Sequence, residues 1–546
     1  MAKVLIPGRH LITTQFMVSY LEALLQNGLT NSLILGEWKG GDKIDHVIIP
    51  ITSANQRGSR YNPVPLYARV IGLERTVAPF RSRHNLRVSF IPVPHISHSE
   101  NFSAATLKYV EAHLDESIKP EDSLIWCSTK PVYTQYQASG FSILPAEWNA
   151  ETEQYEALAP NDILSAVAQA GDGHKDVAEY ALLSSATKTL WEDMPEIPEH
   201  IIRLWNDPLL TDSGSLTAER DYATYSVGMS HTALMDIKFN DIKGAVLEGK
   251  IVDEGCADGA LMVRLAEMFP DSDIIGLDIT GEFISRVEER QRAGEFGKSF
   301  VYAYQRNLLQ PVFSDSSVDT VICNSTLHEL WSYGEQAKSV KNYLRYKYKQ
   351  LTPGGRLVIR DVVGPEQKDM MVYMKLNTLD GETYQADDER ILSTAPDKLS
   401  TESRFYRFVH DYLRELSETS RRTDNYKISR IEENINGIRY IKLSLKDATE
   451  FLLTKDYTDN WDSEMNEEFT FWDITQWKQE LTKVGFVVVN DDSAEPKYSQ
   501  AYANEWIVRN RYQSTATLWL MDESGKLMEY PYPVTNMVLV GEKPLG

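Results

Sequence analysis

Apolar and polar positions along this chain follow two rhythms. Short runs rich in Val and Ile alternate with longer stretches whose apolar residues lie three and four apart. Lys3-Val4-Leu5-Ile6 reads as a first strand closed by Pro7-Gly8, and residues 31–35 and 47–52 repeat the strand pattern. Between the first two, Phe16, Val18, Tyr20, Leu21, Leu24 and Leu25 have helical spacing, with Thr13 or Thr14 placed to cap the helix. Such alternation predicts a parallel α/β sheet with ligands at the strand C-termini. The rhythm breaks over 171–215, where Gly171-Asp172-Gly173, Pro195, Pro198, Pro208 and Ser213-Gly214-Ser215 read as a linker. Helices are expected over 216–225 and 229–237, with Tyr222 and Tyr225 near the ligand or in the core.

The alternation resumes at Ile251-Val252-Asp253, a buried strand ending in an acid. Gly255, Ala257 and Gly259 follow at alternate positions where the backbone must approach a ligand closely. Leu261, Met262, Leu265, Met268 and Phe269 then mark a helix, and residues 273–278 a second strand ending in Asp278. Strand, small-residue turn, helix, strand and acid form a nucleoside-binding unit, the terminal acid accepting from ribose hydroxyls. A dinucleotide site would show G-x-G-x-x-G and a phosphate at the helix N-terminus. Here G-x-A-x-G is flanked by Asp253 and Asp258, which suits a ligand bearing an amino group and a sulfonium.

Residues 251–361 resemble the class I S-adenosylmethionine (SAM)-dependent methyltransferases. Val-Asp-Glu-Gly-Cys-Ala-Asp-Gly looks like that family's first motif, with Ala257 where a glycine is usual. Gly-Leu-Asp-Ile at 276–279 looks like its ribose-binding strand end. Residues 313–324 and 351–361 look like its fourth and fifth strands with their approaches. The resemblance implies SAM as cofactor, bound by Asp253, Gly255, Ala257, Gly259, Asp278, Ile279, Asn307, Leu308 and Asn324. Asn307 stands where the family often has an acid beside the adenine. His328 and Glu329 emerge from the fourth strand toward the acceptor pocket, although the pair reads equally as the first turn of a helix favoured by the dipole. If the acceptor is a hydroxyl, His328 is the candidate base and Asp361 the alternative. Two long segments, 365–470 and 490–533, fit no βα repeat and are expected to be helical insertions shaping the substrate site.

Residues 1–170 carry a second resemblance. Gly8-Arg9, Ser53-Ala54-Asn55, Asn62-Pro63 with Arg69, and Pro160-Asn161-Asp162-Ile163 look like the nicotinamide-mononucleotide adenylyltransferase group. The departures fall on the chemistry. Thr14 and Met17 occupy the positions of the family's histidine pair, and Leu164 stands where a later motif has arginine. Cations facing the phosphates are the main lever of such catalysis. The resemblance therefore implies a domain that kept the fold and lost nucleotidyl transfer, with a nucleotide still a possible ligand.

The expected architecture is thus two Rossmann-like doubly wound α/β domains. A nucleotidyltransferase-like domain covers 1–170, a linker 171–215, and a seven-stranded methyltransferase sheet with its insertions 216–546. A chain of 546 residues, 42% hydrophobic and 25% charged, is long enough for two or three globular cores. Neither a membrane span nor a secretory leader is indicated. Cys127, Cys256 and Cys323 are far apart without metal-ligand spacing, so no metal is expected and a reducing, cytoplasmic setting is. A formal charge of −23 argues against a nucleic-acid partner. The best basic stretch, 338–349, reads as a solvated helix face. Three readings stay open: a small-molecule methyltransferase with a retired first domain, a bifunctional enzyme, or a non-catalytic SAM-binding protein. The sequence does not address oligomeric state.

Overall fold

The computed structural model describes residues 2–55, 60, 62–95, 101–149, 154–155, 158–206, 232–413 and 427–545. The chain divides into two compact units, Met1–Asp212 and Ser213–Gly546. The helices expected over 216–225, with Tyr222 and Tyr225, lie outside the described residues.

In the first unit, β1 (Ala2–Leu5), β2 (Ile44–Ile51), β3 (Arg87–Pro92), β4 (Ser123–Trp126) and β5 (Ser142–Leu144) form one parallel sheet. Their order, β3-β2-β1-β4-β5, reverses beside β1, which opens a crevice at the strand ends. Helix α1 (Gln15–Asn27) starts at Thr14, whose hydroxyl accepts from the Met17 amide, and buries Met17, Leu21 and Leu24. The strand expected over 31–35 does not form. Leu29–Asn31 is a 3-10 turn, Leu33 is exposed, and Leu35 makes a single bridge to Ile143, so the run lies beyond the sheet edge with little to bury against.

The stretch read as a linker is also structured. Ser185–Asp193 and Glu196–Trp205 are helices, and Trp191, Ile197 and Ile201 join Val64 and Leu164 in one core. Pro195 and Pro198 sit at the start of the second helix, where a missing N–H costs nothing, so they mark a helix start rather than a chain break.

The second unit is built on β6 (Lys250–Glu254), β7 (Asp273–Asp278), β8 (Phe300–Gln305), β9 (Val318–Asn324) and β10 (Leu351–Val362). These five run parallel in the order β8-β7-β6-β9-β10. The sheet holds eight strands where seven were expected, because one edge strand is interrupted. In sequence order, β14 (Val487–Val489) and β15 (Gln500–Tyr502) both pair antiparallel with β18 (Asn536–Glu542), which itself pairs with β10. Residues 490–499 loop out between them.

The remaining strands correct the expectation of helical insertions. β11 (Met371–Leu376), β12 (Arg430–Ile435) and β13 (Ile438–Ser444) come from the first insertion, β16 (Ala516–Met521) and β17 (Leu527–Tyr530) from the second. Together they make one antiparallel sheet, β12-β13-β11-β16-β17. Its strands are hard to read because they carry charge; β12 is largely exposed along its length. Phe405, Phe408 and Phe451 from the covering helices fill its core.

Helix α2 (Ala337–Gln350) carries the basic stretch, and it is not simply a solvated face. Lys347 is fully buried with its Nζ 2.5 Å from Glu254 Oε1, and the Tyr343 hydroxyl donates to Glu254 Oε2 at 2.6 Å. No described helix is long and apolar enough to cross a membrane.

Candidate active site

The turn after β6 is set by backbone geometry. Gly255 has φ of 73°, and a Cβ there would lie 2.1 Å from Thr326 Oγ1; Gly259 has φ of 80°, its added Cβ 2.9 Å from Val287. Ala257 takes φ of 45°, a conformation more comfortable for glycine. Its amide donates to Asp278 Oδ2 at 2.9 Å, while Thr280 donates to Asp278 Oδ1 at 2.8 Å. Asp278 thus joins the two strand ends as well as facing the crevice. Asp253 is buried, and its Oδ2 has no hydrogen-bond partner. Asp258 does not add to an acidic turn as the sequence suggested, because Arg290 holds its carboxylate at 2.6 Å and its carbonyl at 2.8 Å.

The other expected cofactor residues divide. Asn324 ends β9, and Asn307 follows β8 with its Oδ1 accepting from the Leu309 amide. Gln305 donates to the Ile279 carbonyl at 2.8 Å. The Leu308 side chain belongs to the core.

Beyond β9, His328 lies in the short helix Leu327–Tyr333. Its Nδ1 is 2.8 Å from Asp361 Oδ1 and its Nε2 is 3.5 Å from Glu467 Oε2. Asp361 also accepts from the amides of Thr326, Leu327 and Val362, which fixes the helix start. These donors and His328 hold the Asp361 carboxyl below its usual range despite burial. Burial opposes charge on His328, but Asp361, Glu467 and Glu329 outweigh it and lift its pKa to about 9. The resting imidazole therefore carries a proton. It becomes a base only after losing that proton, and Asp361 orients it rather than competing with it. Glu467, which also accepts from the Tyr333 hydroxyl at 3.2 Å, carried no sequence signal because it comes from the first insertion. Trp331 and Lys446 both donate to the neighbouring Glu468.

Residues 248–412 match a family model described as a methyltransferase domain. The chain carries a methyltransferase domain. No curated protein sequence matches it. Among solved structures, it is similar to a SAM-dependent methyltransferase from Methanosarcina mazei at 15% identity, with 56% of this chain and 97% of that one covered and a TM-score of 0.28. The YcgJ protein from Bacillus subtilis aligns at 12% identity over 58% of this chain and 100% of that one, with a TM-score of 0.27.

SAM is the cofactor of this methyltransferase domain, and two observations fit it: the partnerless Asp253 Oδ2 and the cradle at Gly255 that a side chain would fill. Burial, together with Asp278 and Glu254, raises Asp253 to about 7, and burial raises Asp278 to about 6. A cationic ligand binds the ionised pair better, so SAM affinity is expected to rise with pH through about 6–7 and level off above. The sign for stability is opposite. From the unfolded value near 3.8 up to the folded ones, the native state keeps protons that the unfolded chain has lost, so the ligand-free protein loses stability as pH rises. Calorimetric titration from acid to mildly alkaline pH checks this. Asp253→Asn should show weaker, flatter SAM binding, and an unchanged profile would contradict the assignment.

The first unit has its own crevice, a cavity of about 500 Å³ lined by Gly8, Arg9, His10, Met17, Ser53 and Trp126 among others. Arg69 does not reach into it as a free cation. It is buried, donating to the carbonyls of Arg9, Thr52 and Ser53, and Asn62 donates to Ser53 as well. His10 donates from Nε2 to the Ile6 carbonyl, and burial pushes its pKa down to about 4, so it is neutral.

Proposed function

We propose that this protein transfers a methyl group from SAM to a small-molecule acceptor held where the insertions meet the strand ends of the methyltransferase sheet. The observation that carries this reading is the buried line Asp361–His328–Glu467, which joins the end of β10 to the first insertion. SAM supplies an electrophilic methyl on a sulfonium. The protein's part is to align the two reactants. Asp253 and Asp278 hold the cofactor's cationic and ribose groups, and Lys238, whose pKa burial and Arg360 lower to about 8 against the pull of Asp361 and Asp253, offers a cation to a carboxylate. His328 and Glu467 set the proton inventory around the acceptor, with Asp361 fixing the imidazole. A nucleic-acid acceptor is disfavoured by the chain's net charge of −23 and by burial of Lys347 within its basic stretch. Three buried thiols, all unpaired, suit a reducing, cytoplasmic setting.

The first unit is read as a binding module without nucleotidyl transfer, since Thr14 caps a helix and Met17 is apolar where cations would be needed. Its cavity favours binding of a nucleotide in a second, non-catalytic site. The test uses the full chain with methyl-labelled SAM against pools of small hydroxyl and amine compounds and against RNA. Label in a small molecule, abolished by His328→Ala, supports the proposal. Label in RNA alone overturns it, as does pyrophosphate release from ATP and nicotinamide mononucleotide at about 1–1,000 per second for the first-unit reading.

A further inference from the structure

Nothing in the sequence spacing marks a metal site, yet the fold brings one imidazole and two carboxylates together from distant parts of the chain. One ligand atom each from His328, Glu329 and Glu467 lie within 4.8 Å of one another, and His328 and Glu467 are buried. We propose that these three residues bind a divalent transition-metal ion of the Mn²⁺ or Zn²⁺ type.

The geometry of the imidazole is that of a supported ligand. Its Nδ1 is engaged by Asp361, itself 1% exposed, which fixes the ring and points Nε2 at Glu467. A carboxylate behind a histidine in this way sets the tautomer and orientation that metal ligation needs, and the ion takes the place of the Nε2 proton that the metal-free imidazole carries, releasing it to solvent. The separation of Nε2 and Glu467 Oε2 is 3.5 Å. Two donors each about 2.0–2.2 Å from one ion stand roughly 3.0–3.5 Å apart, so little movement is needed there. Glu329, half-buried on the helix of His328, closes the remainder by side-chain rotation. Tyr333 holds the other Glu467 oxygen. Glu468, one residue on, is engaged by Lys446 and Trp331 and stays outside the set.

The ligand types choose the ion. A nitrogen donor with two carboxylates suits Mn²⁺, Fe²⁺ or Zn²⁺ better than Mg²⁺ or Ca²⁺, which prefer oxygen throughout. Three protein ligands leave positions open for water or for an oxygen of a bound molecule. That this molecule is the methyl acceptor rests on the methyl-transfer reading; the metal site itself does not.

The test takes the full-length protein after dialysis against a chelator and titrates it calorimetrically with MnCl₂ and with ZnCl₂. One equivalent bound per chain, with affinity falling tenfold or more in His328→Gln and in Glu467→Gln, is expected. No binding at millimolar metal, or binding unchanged in both variants, overturns the site. Should either variant fail to fold, pulsed electron paramagnetic resonance on the unaltered protein with Cu²⁺ decides: one coordinated imidazole nitrogen supports the proposal and none refutes it. SAM binding is titrated in parallel, so a protein that binds metal but not SAM separates failure of the functional reading from failure of this one.

Discussion

Asp278→Ala is expected to weaken SAM binding by about 1.5–3 kcal/mol, the range for charge-assisted hydrogen bonds. The carboxylate has two duties. It offers acceptors to ribose hydroxyls at the end of β7, and it ties the Ala257 and Thr280 amides, which hold the turn carrying Gly255 and Gly259. Alanine removes both, so the loss should reach the upper part of the range, and Asp278→Asn, which keeps one acceptor oxygen, should fall between. Calorimetric titration of SAM measures each. An alanine variant that binds SAM as the parent does would remove the ribose assignment.

The largest stability effect should come from Lys347→Met. Glu254 and Lys347 are both fully buried, and taking away the lysine strands a carboxylate next to the Tyr343 hydroxyl in an apolar core. Breaking one side of such a pair costs about 3–5 kcal/mol. Replacing both partners by apolar groups should recover most of that, because the desolvation penalty disappears with the charges. Scanning calorimetry on the transition that SAM raises distinguishes the second unit from the first. Equal melting of Lys347→Met and parent, or a double variant Glu254→Leu with Lys347→Met no better than the single one, would contradict this account.

What the sequence disclosed follows from how local each feature is. The turn at 255–259 and the acid at 278 belong to one strand-helix-strand unit, so spacing alone exposes them. His328 and Asp361 are legible for a related reason, the one just past and the other at the end of a strand whose apolar run is plain. Glu467 is not, since it reaches His328 only through a fold of the first insertion. Arg290 and Lys347 look like ordinary surface cations on helices, and nothing local says that one neutralises Asp258 and the other is buried against Glu254. The inserted strands escaped for a different cause. An antiparallel sheet covered on one face carries polar residues on the other, and its charge resembles that of an exposed helix or loop.

The shared inserted sheet also orders events during synthesis. Its central strand β11 is flanked by β13 on one side and by β16 on the other, and the eight-stranded sheet needs β18 between β10 and β14. The first unit has all five strands of its parallel sheet once residue 144 has left the ribosome. The second has neither sheet complete until residues 516–542 follow. Nascent chains thus hold β10 and β11 with open edges while more than a hundred further residues are made, the interval in which unpaired strands invite aggregation or chaperone capture.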